Sequence, residues 1–173
     1  GVPERGGELK SITKVLSAVL VATTQSLLLI ETVAAHFACN PWDVIRSAIP
    51  PRVASADKNF AHIALHNQNK GKHSVEFQTL APYIQAHDQV VKLVLNNYGS
   101  GSVLVIAPDE KDIDLIVRAL DADGVMALKL TAAMPREERY RNYLQAMHGE
   151  KCVVVGTRSA IFAPVNHLNA IIV

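Results

Sequence analysis

Short apolar runs alternate with amphipathic segments along the second half of the chain. Four runs are wholly apolar or interrupted only by Lys129, which is the pattern of strands that are covered on both faces in a parallel sheet. These runs occupy residues 103–107, 125–130, 152–155 and 170–173. Apolar residues recur at helical spacing in residues 79–97, with Thr79 as cap, in 109–120, with Asp109 as cap, and in 135–148. The alternation predicts an α/β fold built on a parallel sheet with right-handed crossovers.

The first half of the chain predicts helices. Residues 16–22 are apolar and suit either a short strand or a helix. A helix then opens at Gln25 or Ser26, and one of its faces collects four apolar side chains: Leu27, Ile30, Ala34 and Phe37. A second short helix occupies residues 42–48 and stops before Pro50-Pro51. This pair of helices is either half of a winged-helix module or a hairpin that only packs.

The strongest candidate site follows the apolar run 152–155. Gly156, Thr157, Arg158 and Ser159 lie just past the carboxyl end of that predicted strand, where open α/β sheets bind their ligands. Backbone amides, two hydroxyls and a guanidinium together suit a phosphate or a nucleic-acid backbone. The alternative is a plain turn with two capping hydroxyls and a solvated charge.

Two segments of the sequence resemble one known family. Residues 153–164, Val-Val-Val-Gly-Thr-Arg-Ser-Ala-Ile-Phe-Ala-Pro, resemble the Gly-Thr-Arg-Ser-Ala-x-Phe-Ala-Pro segment of the PriA family of primosomal replication-restart DNA helicases (protein N′). In that family the segment lies in the first RecA-like lobe, near the path of single-stranded DNA. Residues 8–52 resemble the segment that joins the DNA-3′-end-binding domain to the winged helix. The tail Asp-Val-x-Arg-x-Ala-x-Pro-Pro-Arg, residues 43–52, is closest to the actinobacterial form.

The resemblance implies how the chain is divided. Residues 1–52 are expected to be the end of a DNA-binding domain with winged-helix-like helices, 53–74 a linker, and 75–173 a truncated first RecA-like helicase lobe. The fold class is therefore expected to be α/β, a parallel-sheet RecA-like (P-loop NTPase-like) half domain preceded by a small, mainly helical region. Because the apolar run 170–173 reads as a core strand at the very end of the sequence, we also expect a fragment of a larger protein.

The sequence lacks the usual signature of nucleotide binding. A phosphate loop requires G-x-x-x-x-G-K-[ST] between a strand and a helix. The only Gly-Lys pair, Gly71-Lys72, is followed by His73 and preceded by His66 where the first glycine should stand. In helicase members of the family this loop lies where residues 75–97 stand here. The resemblance is thus to the helicase-motif-deficient, actinobacterial branch, and no catalytic or nucleotide-binding residue is assigned.

Composition narrows the remaining function classes. A formal net charge of +1 excludes a histone-like binder, so a nucleic-acid surface must come from local clusters such as the five basic residues within 46–72. Cys39 and Cys152 are expected to be buried free thiols of a cytoplasmic protein. No apolar run near the start is long enough for a membrane span. His62 and His66 lack a second pair of ligands, so no metal site is predicted.

Three hypotheses remain. The first is a replication-restart (primosome assembly) protein that binds forked or single-stranded DNA without ATPase or helicase activity. The second is a DNA-stimulated, ATP-dependent 3′-5′ helicase with a non-standard phosphate loop near residues 70–74, and the third is a structural or protein-interaction relic of the helicase fold. The candidate DNA-contacting residues are Gly156, Thr157, Arg158 and Ser159, with Arg46, Arg52 and Lys72 as weaker candidates. The family further implies primosome proteins and single-stranded-DNA-binding protein as partners, and ATP, Mg and Zn as cofactors of regions that are absent or degenerate here.

Overall fold

The computed structural model describes residues 11–60, 74–81 and 84–173. Six helices and four strands are present in this part of the chain. The helices are α1 (Thr24–His36), α2 (Pro41–Ala48), α3 (Ala54–Asp57), α4 (Ala86–Tyr98), α5 (Glu110–Ala122) and α6 (Arg136–His148). The strands are β1 (Ser102–Ile106), β2 (Ala127–Leu130), β3 (Val153–Gly156) and β4 (Leu168–Ile172), with a 3₁₀ helix at Arg158–Phe162 between the last two.

The four strands form one parallel sheet in the order β2-β3-β1-β4. The central strands β1 and β3 are almost entirely buried, because helices cover both of their faces. The predicted fold class is therefore confirmed: an α/β half domain, consistent with a RecA-like lobe, preceded by a helical region. The division of the chain into three domains remains a prediction.

Helices α4 and α5 cover one face of the sheet with an apolar core. The predicted stripe of α5 is inward, since Ile113, Ile116 and Leu120 are at most 3% exposed. The predicted cap is confirmed as well: the Asp109 carboxylate accepts hydrogen bonds from the backbone amides of Lys111 and Asp112. This cap fixes where α5 begins, directly after β1.

Helix α6 and the 3₁₀ helix cover the opposite face, together with parts of the N-terminal region. The four residues predicted to point inward are all buried: Tyr140, Tyr143, Leu144 and Met147. Polar ends of α6 side chains hold the N-terminal segment in place. The Tyr143 hydroxyl donates to the carbonyl of Val21 at 2.7 Å, and His148 Nε2 lies 2.9 Å from the carbonyl of Leu20.

Helices α1 and α2 pack as a hairpin against the 3₁₀ helix. Their shared core comprises Ile30, Ala34, Val44 and Ala48, with Phe162 of the 3₁₀ helix packed against it. Thr23 caps α1 and Asn40 caps α2 through side-chain oxygens. This packing brings the first half of the chain next to the segment that follows β3.

Several sequence-based expectations are corrected by the structure. Residues 16–22 form neither a strand nor a helix, and α4 begins at Ala86 rather than near Thr79. Strand β4 lies at the edge of the described sheet with Leu168 and Ile171 exposed, instead of in its core. Leu27 on α1, Phe37 directly after α1 and the free thiol of Cys39 are exposed as well. None of the described helices has the length and apolar character needed to cross a membrane.

Candidate nucleic-acid interface

Strand β3 ends at Gly156, and the chain bends at Thr157 before the 3₁₀ helix begins at Arg158. The carbonyl of Gly156 accepts a hydrogen bond from the amide of Ala107, which keeps the end of β3 beside the end of β1. A Cβ at position 156 would meet the carbonyl oxygen of Leu130 and would lie 2.5 Å from the Cβ of Ala160. Only glycine therefore fits here, and the chain turns at once into the 3₁₀ helix.

The three residues after Gly156 present polar groups at the carboxyl edge of the sheet. Arg158 is exposed, and Thr157 and Ser159 are half-buried. None of their side chains forms a hydrogen bond or an ion pair with another residue of the described ranges. The amide of Ala160 donates to the Thr157 carbonyl at 2.8 Å, so the backbone of the turn is ordered while its side chains remain free to bind.

A narrow cleft beside this turn adds a second cation that sequence reasoning missed. The cleft is lined by Ser159, Ala160, Ala163, Leu130, Tyr143, Arg139 of α6, and Ala48 and Pro50 at the end of α2. Arg139 forms no ion pair with another described residue. In the sequence, Arg139 is one of three arginines among 136–141, and nothing in that spacing tells which of them faces the site. The tertiary packing of α2 and α6 against the 3₁₀ helix makes the distinction.

The three weaker candidates have different surroundings. Arg46 is exposed on α2, a helix that packs against the 3₁₀ helix, and it has no ion-pair partner in the described part of the chain. Arg52 instead pairs with Asp57, with Nε 2.6 Å from Oδ2. Lys72 lies outside the described residues, as do His62, His66 and Gly71.

The Arg52–Asp57 pair belongs to a buried polar network. Asp57 is only 7% exposed and also accepts a hydrogen bond from the Tyr140 hydroxyl at 2.8 Å. Burial acts to raise the pKa of Asp57, but hydrogen bonds from Tyr140, Ser17 and Arg52, with the Arg52 charge, outweigh it and lower the pKa. Burial and the neighbouring carboxylate raise the pKa of Tyr140, so the phenol stays a donor. The network joins α3 to α6.

The adjoining part of the carboxyl edge, where β2 ends beside β3, has a different electrostatic character. A cavity there lies between the first turns of α5 and α6 and is lined by Glu110, Lys129, Thr131, Ala133, Met134, Pro135 and Glu138. Lys129 Nζ is 2.6 Å from Asp114 Oδ1, and this pairing lowers the pKa of Asp114. The lysine charge is thus already compensated.

The described part of the chain lacks the signatures of a metal or nucleotide site. Residues 11–60, 74–81 and 84–173 contain no group of three or more His, Cys, Asp and Glu side chains placed to hold a metal ion. A phosphate loop requires a strand before its helix, and no strand precedes α4 within 74–81 and 84–101. Burial raises the pKa of the Cys152 thiol, which is opposite to the activation of a nucleophile.

Comparison with known proteins confirms the expected resemblance. No family model matches the chain. The probable replication restart proteins PriA of Mycobacterium tuberculosis strains CDC 1551 and H37Rv are each 29% identical over 194 residues, which covers 96% of this chain and 29% of theirs. The protein with the same description from Mycobacterium leprae is 28% identical over 198 residues, 98% of this chain and 30% of its own length. The chain spans less than a third of these curated relatives, and over nearly all of its own length it is PriA-like.

Proposed function

We propose that this chain binds forked or single-stranded DNA for replication restart and does so without hydrolysing ATP. The observation that carries the proposal is the close packing at Gly156, which fixes the backbone at the end of β3 while leaving Arg158 exposed and without a partner among the described residues. The relatives described as replication restart proteins support the role. Primosome proteins and single-stranded-DNA-binding protein are the proposed partners, in the cytoplasm.

The chemistry of the turn suits a phosphodiester backbone. A guanidinium can donate two parallel hydrogen bonds to one phosphate, and the hydroxyls of Thr157 and Ser159 can donate to its neighbours. Arg139 in the adjoining cleft and Arg46 on α2 extend the positive surface toward the helical region. Such contacts carry little sequence information, so binding is expected to tolerate any base sequence.

The absence of ATPase activity is proposed from the region before β1. Within the described residues 74–81 and 84–101, α4 is preceded by no strand and no glycine-rich loop. The proposed non-standard loop near 70–74 falls mostly outside the described residues. A titration with magnesium-ATP separates this proposal from the helicase hypothesis, because saturable binding would favour the helicase.

The DNA-binding proposal is tested by fluorescence anisotropy with a labelled forked DNA. We expect Arg158→Ala to weaken binding about tenfold, as for the loss of one charge-assisted contact. The slope of log affinity against log salt should fall by about one. Arg118→Ala, an exposed arginine of α5 on the opposite face of the sheet, is the matched control and should change affinity less than twofold. Equal losses in the two variants, or none in either, would refute the site.

A further inference from the structure

The acidic cavity at the end of β2, the strand paired with β3, has no role in the proposed DNA site. It has a volume of about 240 Å³ and lies where β2 ends and α6 begins, beside the first turn of α5. Pockets that enclose a whole drug-sized ligand usually measure about 300–1,000 Å³. This cavity is therefore suited to one side chain rather than to a complete nucleotide.

Thr131 gives independent evidence that the cavity takes a ligand. The residue is fully buried and lines the cavity, yet its hydroxyl has no hydrogen-bond partner among the described residues. The buried hydroxyl of Ser102, by contrast, donates to the carbonyl of Asn166 at 2.6 Å. A buried polar group without a partner is costly, so a ligand group that reached this hydroxyl from the cavity would gain free energy.

The charges around the cavity decide the sign of that group. Glu110 and Glu138 form no ion pair or hydrogen bond with other described residues, whereas Lys129 is already paired with Asp114. Helix α6 has Pro135 at its N-cap position and therefore no side-chain cap, and its free amides would favour an anion. A helix end is worth only about half a positive charge. Two full carboxylate charges outweigh it, and the cavity favours a cation.

The apolar part of the cavity lining indicates that the cation is a basic side chain rather than a free ion. Ala133, Met134 and Pro135 offer a wall for a methylene stem, while the carboxylates receive the charged head. A guanidinium presents several donors in a plane, which can serve a carboxylate and the Thr131 hydroxyl together. We propose that this cavity receives an arginine side chain of a partner protein.

The proposal is tested by NMR titration of the 173-residue chain with a capped peptide, Ala-Ala-Arg-Ala-Ala. Saturable shifts are expected at the amides of Thr131 and Ala133. The same peptide with citrulline in place of arginine keeps the shape but loses the charge, and it should bind about five- to tenfold more weakly. Glu110→Gln and Glu138→Gln should each weaken binding about threefold or more. Glu150→Gln, at the opposite edge of the sheet, should leave binding unchanged.

The Thr131→Val variant distinguishes a threonine that binds the ligand from one that only supports the fold. Valine keeps the shape and removes the unsatisfied hydroxyl, so we expect a higher urea midpoint together with weaker peptide binding. Shifts confined to other surfaces, equal binding of the citrulline peptide, no saturable binding, or equal loss in Glu150→Gln would each overturn the proposal. A single-stranded oligonucleotide could instead shift the same amides more strongly than the peptide does, and more strongly still in Glu110→Gln. That result would overturn the proposal and indicate that the cavity binds a DNA phosphate.

Discussion

The sequence predicted that Arg158 and Arg52 belong to the same DNA site, but the structure places them in contrasting environments. Arg158 follows a turn that admits only glycine, is exposed, and has no partner in the described ranges. Arg52 has its Nε 2.6 Å from a carboxylate of Asp57 that is itself almost fully buried. Removing Arg52 would leave that buried charge with one partner fewer. An arginine can bind a phosphate only where the fold does not already require its charge.

The comparison also separates two ways of holding a segment in place. The turn after β3 is fixed by close backbone packing and leaves its polar side chains unused. The junction between α3 and α6 is fixed by the polar side chains themselves, through Asp57 and Tyr140. The first arrangement suits binding, and the second suits stability.

Gly156→Ala is expected to cause the largest loss of stability among these variants. The new Cβ would collide with the carbonyl of Leu130 and with Ala160, so the turn must move. We expect a loss of about 2–3 kcal/mol in the free energy of urea unfolding, as for overpacking in a core. Gly99→Ala is the matched control, because a Cβ at that position would have no other atom within 4 Å. A loss of similar size at both positions would show that the turn is not sterically fixed.

Asp57→Asn tests the polar junction. Asparagine keeps the shape but loses the charge that Arg52 and Tyr140 stabilise, so we expect a loss of about 2 kcal/mol in unfolding free energy near pH 7. Because the pKa of Asp57 is lowered in the folded state, its contribution is complete above the ordinary carboxyl value of about 4. It is lost as the pH falls through the lowered value.

The measurement for Asp57→Asn is urea unfolding at a series of pH values. The difference between the parent chain and the variant should shrink on acidification. A difference that is constant down to the acid limit would mean that the carboxylate charge contributes nothing. Affinity for forked DNA, measured at neutral pH, should stay within about twofold of the parent, because the network is not part of the proposed interface.

The two variants Arg52→Ala and Arg158→Ala test directly whether each arginine serves stability or DNA binding. Arg52→Ala should lower the unfolding free energy by about 1–2 kcal/mol, because Asp57 loses one of its partners and Arg52 is itself part-exposed. Arg158→Ala should change it by less than about 0.5 kcal/mol. DNA affinity should respond in the opposite order. If Arg52→Ala reduced DNA affinity as much as Arg158→Ala at unchanged stability, the assignment of roles would be reversed.

The sequence predicted the scaffold well because the apolar pattern is a local signal. Apolar runs, interrupted only by Lys129 in β2, identified β1, β2 and β3, and the helical spacing identified α5 and α6 with the correct inward residues. Strand β4 was also located, but its exposure could not be read from composition, since an edge strand and a central strand differ only in their neighbours. The same holds for the start of α4, where Thr79 resembles a cap but the helix begins at Ala86.

The candidate site was only partly predictable for a related reason. The segment after Gly156 has a local signature, whereas the network of Arg52 and Asp57 is completed by Tyr140, which lies 83 residues from Asp57 in the sequence. Nothing in the sequence pattern indicated that Arg139 or Thr131 belongs to a site. Their relevance comes from burial, from an unmade hydrogen bond, and from the elements that pack beside them.

Among the variants expected to weaken DNA binding, Arg46→Ala should have the smallest effect. The surroundings of Arg46 are intermediate between those of Arg158 and Arg52. It is exposed and unpaired in the described residues, like Arg158, but it is carried by α2 rather than by the turn itself. We therefore expect Arg46→Ala to weaken binding to forked DNA about two- to threefold, with unchanged stability, as for an exposed and screened charge. The loss should vanish at high salt earlier than that of Arg158→Ala. A tenfold loss would instead place the DNA across α2 and make the turn after β3 the periphery of the interface.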